Sequence, residues 1–195
     1  MNYRKYKESR NLAWRILIGE GVTKLPVDIV QLCRNMGIRV QYFSSSVDDN
    51  DGYCIILFGR PRIFVRKECS PERQRFTIAH ELGHILLGHV GHYNLVNREP
   101  NAKDNPIEQE ANVFASRILA PACVLWALDA RTPEQIAQIC RISHQAASFR
   151  AQRMAILFER DRFLTSSIER QVYEQFSSFI EEERQRHRFS GTSGI

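Results

Sequence analysis

The sequence predicts an α+β fold, mostly helical, in which a small antiparallel sheet precedes one buried central helix. Three observations predict it. Apolar residues recur at helical spacing over the N-terminal segment and most of the C-terminal half. Three short β-rich runs bounded by turn residues lie between positions 38 and 66. Behind them, Phe76 to Leu87 is apolar nearly all round, the pattern of a helix buried on every side. At 195 residues the chain fits one domain with a small appendage and can enclose a real core.

Residues 3 to 19 read as a first helix, with Leu12, Trp14, Ile16 and Leu17 as its apolar surface and Gly19 and Gly21 closing it. A short packing helix follows between Leu25 and Gly37, Pro26 suiting its first turn and Gly37 its C-terminal cap. The strands read as Ile38 to Phe43, Gly52 to Phe58 and Arg62 to Arg66, separated by the polar run Ser44 to Asp51 and by the turn Gly59-Arg60-Pro61. Ser70 is placed to cap the central helix, with Pro71 at its first position. Gly91 to Asn105 reads as a loop. Pro106 to Ala120 is amphipathic, with Ala111, Phe114, Ala115, Ile118 and Leu119 as its inward stripe, and Pro121 stops it. Cys123 to Leu128 makes a further short helix. Thr132 to Cys140 is a capped helix, Arg141-Ile142-Ser143 a tight turn, and His144 opens a second helix, a pair with the length and junction of a helix-turn-helix. Helical periodicity continues from Met154 to Phe179, and the mixed-charge run Glu181 to Arg188 reads as a solvated helix that frays at its end.

Composition narrows the functional classes. Cys33, Cys54, Cys69, Cys123 and Cys140 are odd in number and contain no C-x-x-C pair, which argues against a disulfide framework or a structural zinc ribbon and for buried small apolar residues. No long uninterrupted apolar segment exists, and the basic run Met1 to Lys7 is followed by Glu8-Ser9-Arg10-Asn11 rather than an apolar signal core. Neither secretion nor membrane spanning is expected, and the cytoplasm is the expected location. The net charge of +5 comes largely from dispersed arginines; it permits acidic partners without demanding them.

The chemistry concentrates in His80-Glu81-Leu82-Gly83-His84. Histidines four residues apart share one helix face, so both imidazoles can bind a single metal ion. Glu81 is turned about 100° away by the helical repeat, yet is near enough to act as a base on water activated there. Burying two imidazoles and a carboxylate costs several kcal/mol unless they are paired or bound to a metal. A catalytic zinc site needs a third protein ligand and an open position. The spacing with a glycine three and a histidine six residues after the second histidine fails, because Leu87 and Val90 stand there. His89, on a continuing helix, would lie on the far side from the metal. His92, beyond Gly91, stays open as a ligand. Of the two glutamates on the following helix, Glu108 is in register with Ala115 and Leu119 inside the apolar stripe, whereas Glu110 falls at its edge, which favours Glu108 and leaves Glu110 as the alternative. Asn112, one turn after Glu108, is placed to hydrogen-bond a ligand histidine from behind. In the loop ahead of that helix, His92 and Tyr93 are candidates to meet a developing oxyanion or the substrate, as is His89.

An HELGH helix followed by Glu108-Gln109-Glu110-Ala111-Asn112-Val113-Phe114-Ala115 and then Leu119-Ala120-Pro121 resembles the ImmA/IrrE family of zinc metallo-endopeptidases, over roughly residues 25 to 150. The resemblance implies His80, His84 and Glu108 as ligands of one zinc ion per chain and Glu81 as the catalytic base. It also implies a gluzincin-like fold and limited proteolysis of a helix-turn-helix transcriptional repressor. Ala120 departs from the family, where a bulkier residue usually precedes the proline.

The expected organisation is therefore a zinc metallopeptidase core over residues 1–130 and a C-terminal helical region over 131–195 carrying the helix-turn-helix-like pair. The expected function is zinc-dependent endopeptidase activity on a protein substrate. For the helix pair, packing or partner contact is favoured over DNA binding. Two other readings share the sequence features: a non-catalytic regulator that binds DNA or a repressor, its metal structural or absent, and a metal hydrolase acting on a non-protein substrate.

Overall fold

The computed structural model describes residues 2–44, 50–90 and 105–190, with side chains through residue 186. The chain groups into two compact units, each assembled from separated stretches: residues 1–13 with 28–119, and residues 14–27 with 120–195. None of the described helices is long and apolar enough to cross a membrane.

The first unit holds the start of helix α1 (Tyr3–Gly19), then α2 (Ile29–Asn35), strands β1 (Arg39–Phe43), β2 (Gly52–Leu57) and β3 (Arg60–Arg66), and helices α3 (Pro71–Leu86) and α4 (Pro106–Leu119). α2 begins later than the apolar pattern suggested: Asp28 accepts from the backbone N–H of Gln31 as its N-cap, and Pro26 lies outside the helix in a cis peptide bond with Leu25. Gly37, at φ 73°, turns the chain out of α2 as expected.

The expected antiparallel sheet is corrected to a mixed one. β3 lies in the centre, antiparallel to β2 and parallel to β1, in the order β1-β3-β2. A tight turn specifies only the two strands it joins, and the run between Phe43 and Gly52 is too long for one. That hairpin turn is Phe58-Gly59, both at positive φ (51° and 72°), so Leu57 pairs with Arg60 and Pro61 falls inside β3. Residues alternate across the sheet: Gly52, Cys54, Ile63 and Val65 are buried on the face toward α3, and Phe43, Tyr53 and Phe64 form an aromatic row on the other. Gly52 is required for this approach, since a Cβ there would lie 2.5 Å from both the Phe64 carbonyl oxygen and the Thr77 methyl. The core is completed by Ile29, Leu32, Ile78, Leu82, Phe114 and Ile118, all nearly inaccessible.

The second unit contains residues 14–27 and helices α5 (Ala122–Ala127), α6 (Pro133–Cys140), α7 (His144–Glu159), α8 (Ser167–Gln175) and α9 (Ser177–Ser190). Thr132 and Gln135 close a reciprocal capping box at the start of α6, Arg141 takes a left-handed conformation at its end, and Ser143 caps α7. Trp14, Leu17, Leu125, Ile136, Met154, Val172 and Phe176 form the core of this unit. Gln175 Nε2 donates to the carbonyls of Leu17 and Val22, which holds the early stretch in place.

Candidate metal centre

α3 is held firmly at its N-terminal end. Ser70 caps it, with Pro71 in the first turn and the Ser70 side chain accepting from Arg73 N–H. Asp51, just ahead of β2, accepts from Arg66 and Cys69 and pairs with the Arg73 guanidinium, tying the sheet to the helix start. Further along, Gly83 faces Ala111 and Phe114 of α4 at close range. A glycine at this crossing brings the two helix backbones together and so brings Glu108 to the histidines.

His80 and His84 turn their Nε2 atoms toward each other, 3.0 Å apart. Glu108 completes a triangle, with Oε2 at 3.0 Å from His80 Nε2 and Oε1 at 3.4 Å from His84 Nε2. Among the described residues these three offer ligand atoms all within 4.8 Å of one another. Bond lengths of about 2.0 to 2.1 Å to zinc in tetrahedral geometry imply ligand-to-ligand separations of about 3.3 Å. The two contacts to Glu108 end on different carboxylate oxygens, so the cluster lies near that spacing without forming one face of a tetrahedron, and two imidazoles with a carboxylate are a donor set that suits zinc. Hydrogen bonds from His80, then from His84, hold the Glu108 carboxyl well below the usual carboxylate range, against the opposing effect of burial. Glu108 is therefore anionic, the form a metal ligand requires. Glu81 lies on the same helix between the two histidines and is 2 % exposed.

Behind each histidine stands a second residue. Asn112 Oδ1 lies 3.0 Å from His80 Nδ1, placed to accept a proton carried there. His84 Nδ1 lies 3.1 Å from His89 Nδ1. His89 is thus beside the site, not on the far side, because the helix stops. Gly88 at φ 75°, with His89 N–H donating to the His84 carbonyl and Gly88 N–H to that of Ile85, forms a Schellman turn that folds the chain back. Burial, then the charge of His84, lowers the pKa of His89 and favours its neutral form.

Glu110 is separate from the triangle. It is the more buried of the two glutamates, at 6 % exposed, and its Oε2 faces His89 Nε2 and Lys5 Nζ, each at 3.5 Å. Its expected place at the edge of the stripe misses this, because the groups covering it come from α1 and from the turn after α3. The Leu-Gly-His sequence at 87–89 was the available signal, a helix stop rather than a continuing helix. His92 and Tyr93 lie outside the described residues.

The profile of the family Peptidase_M78, described as the IrrE N-terminal-like domain, matches residues 33–152, a span that includes α3 and α4. The radiation response metalloprotease IrrE of Deinococcus radiodurans is 33% identical over 94 residues, which cover 44% of this chain and 28% of that protein. A Mycobacterium tuberculosis transcriptional regulator of solved structure superposes with a TM-score of 0.53 at 18% identity, covering 72% of this chain and 45% of that one. At that identity the likeness is one of fold. The chain matches less than half the length of either protein.

Proposed function

The chain belongs to the IrrE N-terminal-like peptidase family, and from that premise we propose that it is a zinc-dependent endopeptidase whose substrate is a helix-turn-helix transcriptional repressor. The observation that carries the reading is the convergence of His80, His84 and Glu108 beside a buried glutamate on the same helix. Zinc bound there would supply a Lewis acid for the scissile carbonyl and would acidify the attacking water. Glu81 would take the proton of that water and pass it to the leaving amine. His80, His84 and Glu108 hold the ion, and Asn112 orients His80. The repressor substrate rests on the family, because ligands describe water activation and not the bond attacked. For the α6–α7 pair the reading is packing: α7 buries Ala147, Arg150, Ala151 and Met154, and Arg150 Nε donates to the Ala120 carbonyl.

Elemental analysis of the purified protein, followed by incubation with a helix-turn-helix repressor encoded in a neighbouring reading frame and mass spectrometry of the products, tests this. One zinc ion per chain and a discrete cut in the repressor are expected. No zinc and no cut, with salt-dependent DNA binding instead, would overturn the reading in favour of a regulator.

A further inference from the structure

We propose that His89 and Glu110 form a hydrogen-bonded relay that fixes the tautomer and ring orientation of His84, making them positioning residues of the metal centre. The inference rests on the zinc reading above and deepens it.

A neutral imidazole carries one proton. His84 aims Nε2 at His80 and Glu108, so binding a metal there requires its proton on Nδ1. The opposite tautomer would point an N–H into the triangle and block the ion. His84 Nδ1 faces His89 Nδ1 at 3.1 Å, and two such nitrogens bond only when one is protonated and the other bare. His89 therefore accepts at Nδ1 and carries its own proton on Nε2. That nitrogen faces Glu110 Oε2 at 3.5 Å, and both side chains are nearly buried, at 10% and 8% exposed. A carboxylate accepts and does not donate, so Glu110 selects the Nε2–H form of His89, and His89 in turn favours the Nδ1–H form of His84 over the Nε2–H form that hydrogen-bonds Glu108 while no metal is held. Lys5 Nζ lies 3.5 Å from the same Glu110 oxygen. The two ligand histidines are thus supported differently: His80 by one amide, His84 by a carboxylate acting through a second imidazole.

Zinc dissociation constants measured by chelator competition for the full chain and for His89→Ala, His89→Asn, Glu110→Gln and the double variant His89→Asn/Glu110→Gln test the relay. His89→Ala is expected to weaken zinc binding by about 10- to 100-fold. His89→Asn should recover part of that loss, because its Oδ1 can stand where Nδ1 stood. Glu110→Gln should weaken binding by about tenfold, at the lower end of the same range, in the native background and not at all in His89→Asn, a dependence that general loosening of the fold would not produce. In the zinc-loaded native protein, nitrogen NMR should show His89 Nδ1 unprotonated. If His89→Ala does not stay folded without metal, His89→Asn and Glu110→Gln carry the same decision. Native zinc affinity in His89→Asn and Glu110→Gln, or a proton on His89 Nδ1, would overturn the relay alone. A native chain that takes up no zinc would overturn the metal reading and the relay with it.

Discussion

Gly83 approaches Phe114 so closely that a Cβ at position 83 would lie 3.1 Å from the Phe114 Cδ1 and 3.3 Å from the Ala111 Cα. Because Gly83 precedes His84 directly and Ala111 follows Glu108 by three positions, this crossing sets how far Glu108 stands from His80 and His84. Gly83→Ala is expected to push α3 and α4 apart by a few tenths of an ångström. Overpacking of this kind costs about 1 to 3 kcal/mol, to be read as a lower melting temperature together with weaker zinc binding.

Glu81→Gln removes the proposed base and keeps His80, His84 and Glu108 unchanged. Zinc content and melting temperature should stay at native values while cleavage falls by about 100- to 10,000-fold, the usual worth of a positioned general base. Turnover at the native rate would remove Glu81 from its role.

Asn112→Ala leaves His80 Nδ1 without its acceptor at 3.0 Å. Zinc affinity should drop by about 10- to 100-fold, with the fold intact by circular dichroism.

Acid should destabilise the metal-free protein through Glu108. Its folded pKa lies below the ordinary 4.5 because His80 and His84 hydrogen-bond its ionised form. The folded state thus favours loss of the proton, so the stabilisation is present in full above about pH 4.5 and fades as the pH falls further toward the folded value. Urea unfolding of the metal-free chain between about pH 6 and about pH 3 should show this decline, and Glu108→Gln should flatten it.

Thiol chemistry should discriminate among the cysteines. Burial pushes the Cys33 and Cys123 thiols up to about 12, and Cys54 and Cys140 are also buried, whereas Cys69 is partly accessible. Alkylation of the native protein, followed by peptide mapping, should therefore label Cys69 first.

Much of the candidate site was legible because it is local. The four-residue spacing of His80 and His84 needs only the helical repeat, and the same periodicity along α4 favours Glu108, which the structure sets beside them. The roles that stayed hidden depend on distant chain segments. Glu110 is covered by Lys5, far away in sequence, and by His89, which returns only because Gly88 adopts a left-handed backbone. Periodicity continued the helix past Gly88 and put His89 on the wrong side. The sheet repeats the lesson: turn residues announced the β2–β3 hairpin one position late, and nothing local could announce that β1 runs parallel to β3.

The discontinuous make-up of the two units has a consequence for synthesis on the ribosome. Residues 1–13 and 28–119 complete the first unit once position 119 has emerged, whereas 14–27 must wait for the remainder of the chain. Trp14 and Leu17, inaccessible in the finished protein, are then apolar surface without cover for most of translation. They mark the stretch of the nascent chain on which a chaperone has most to protect.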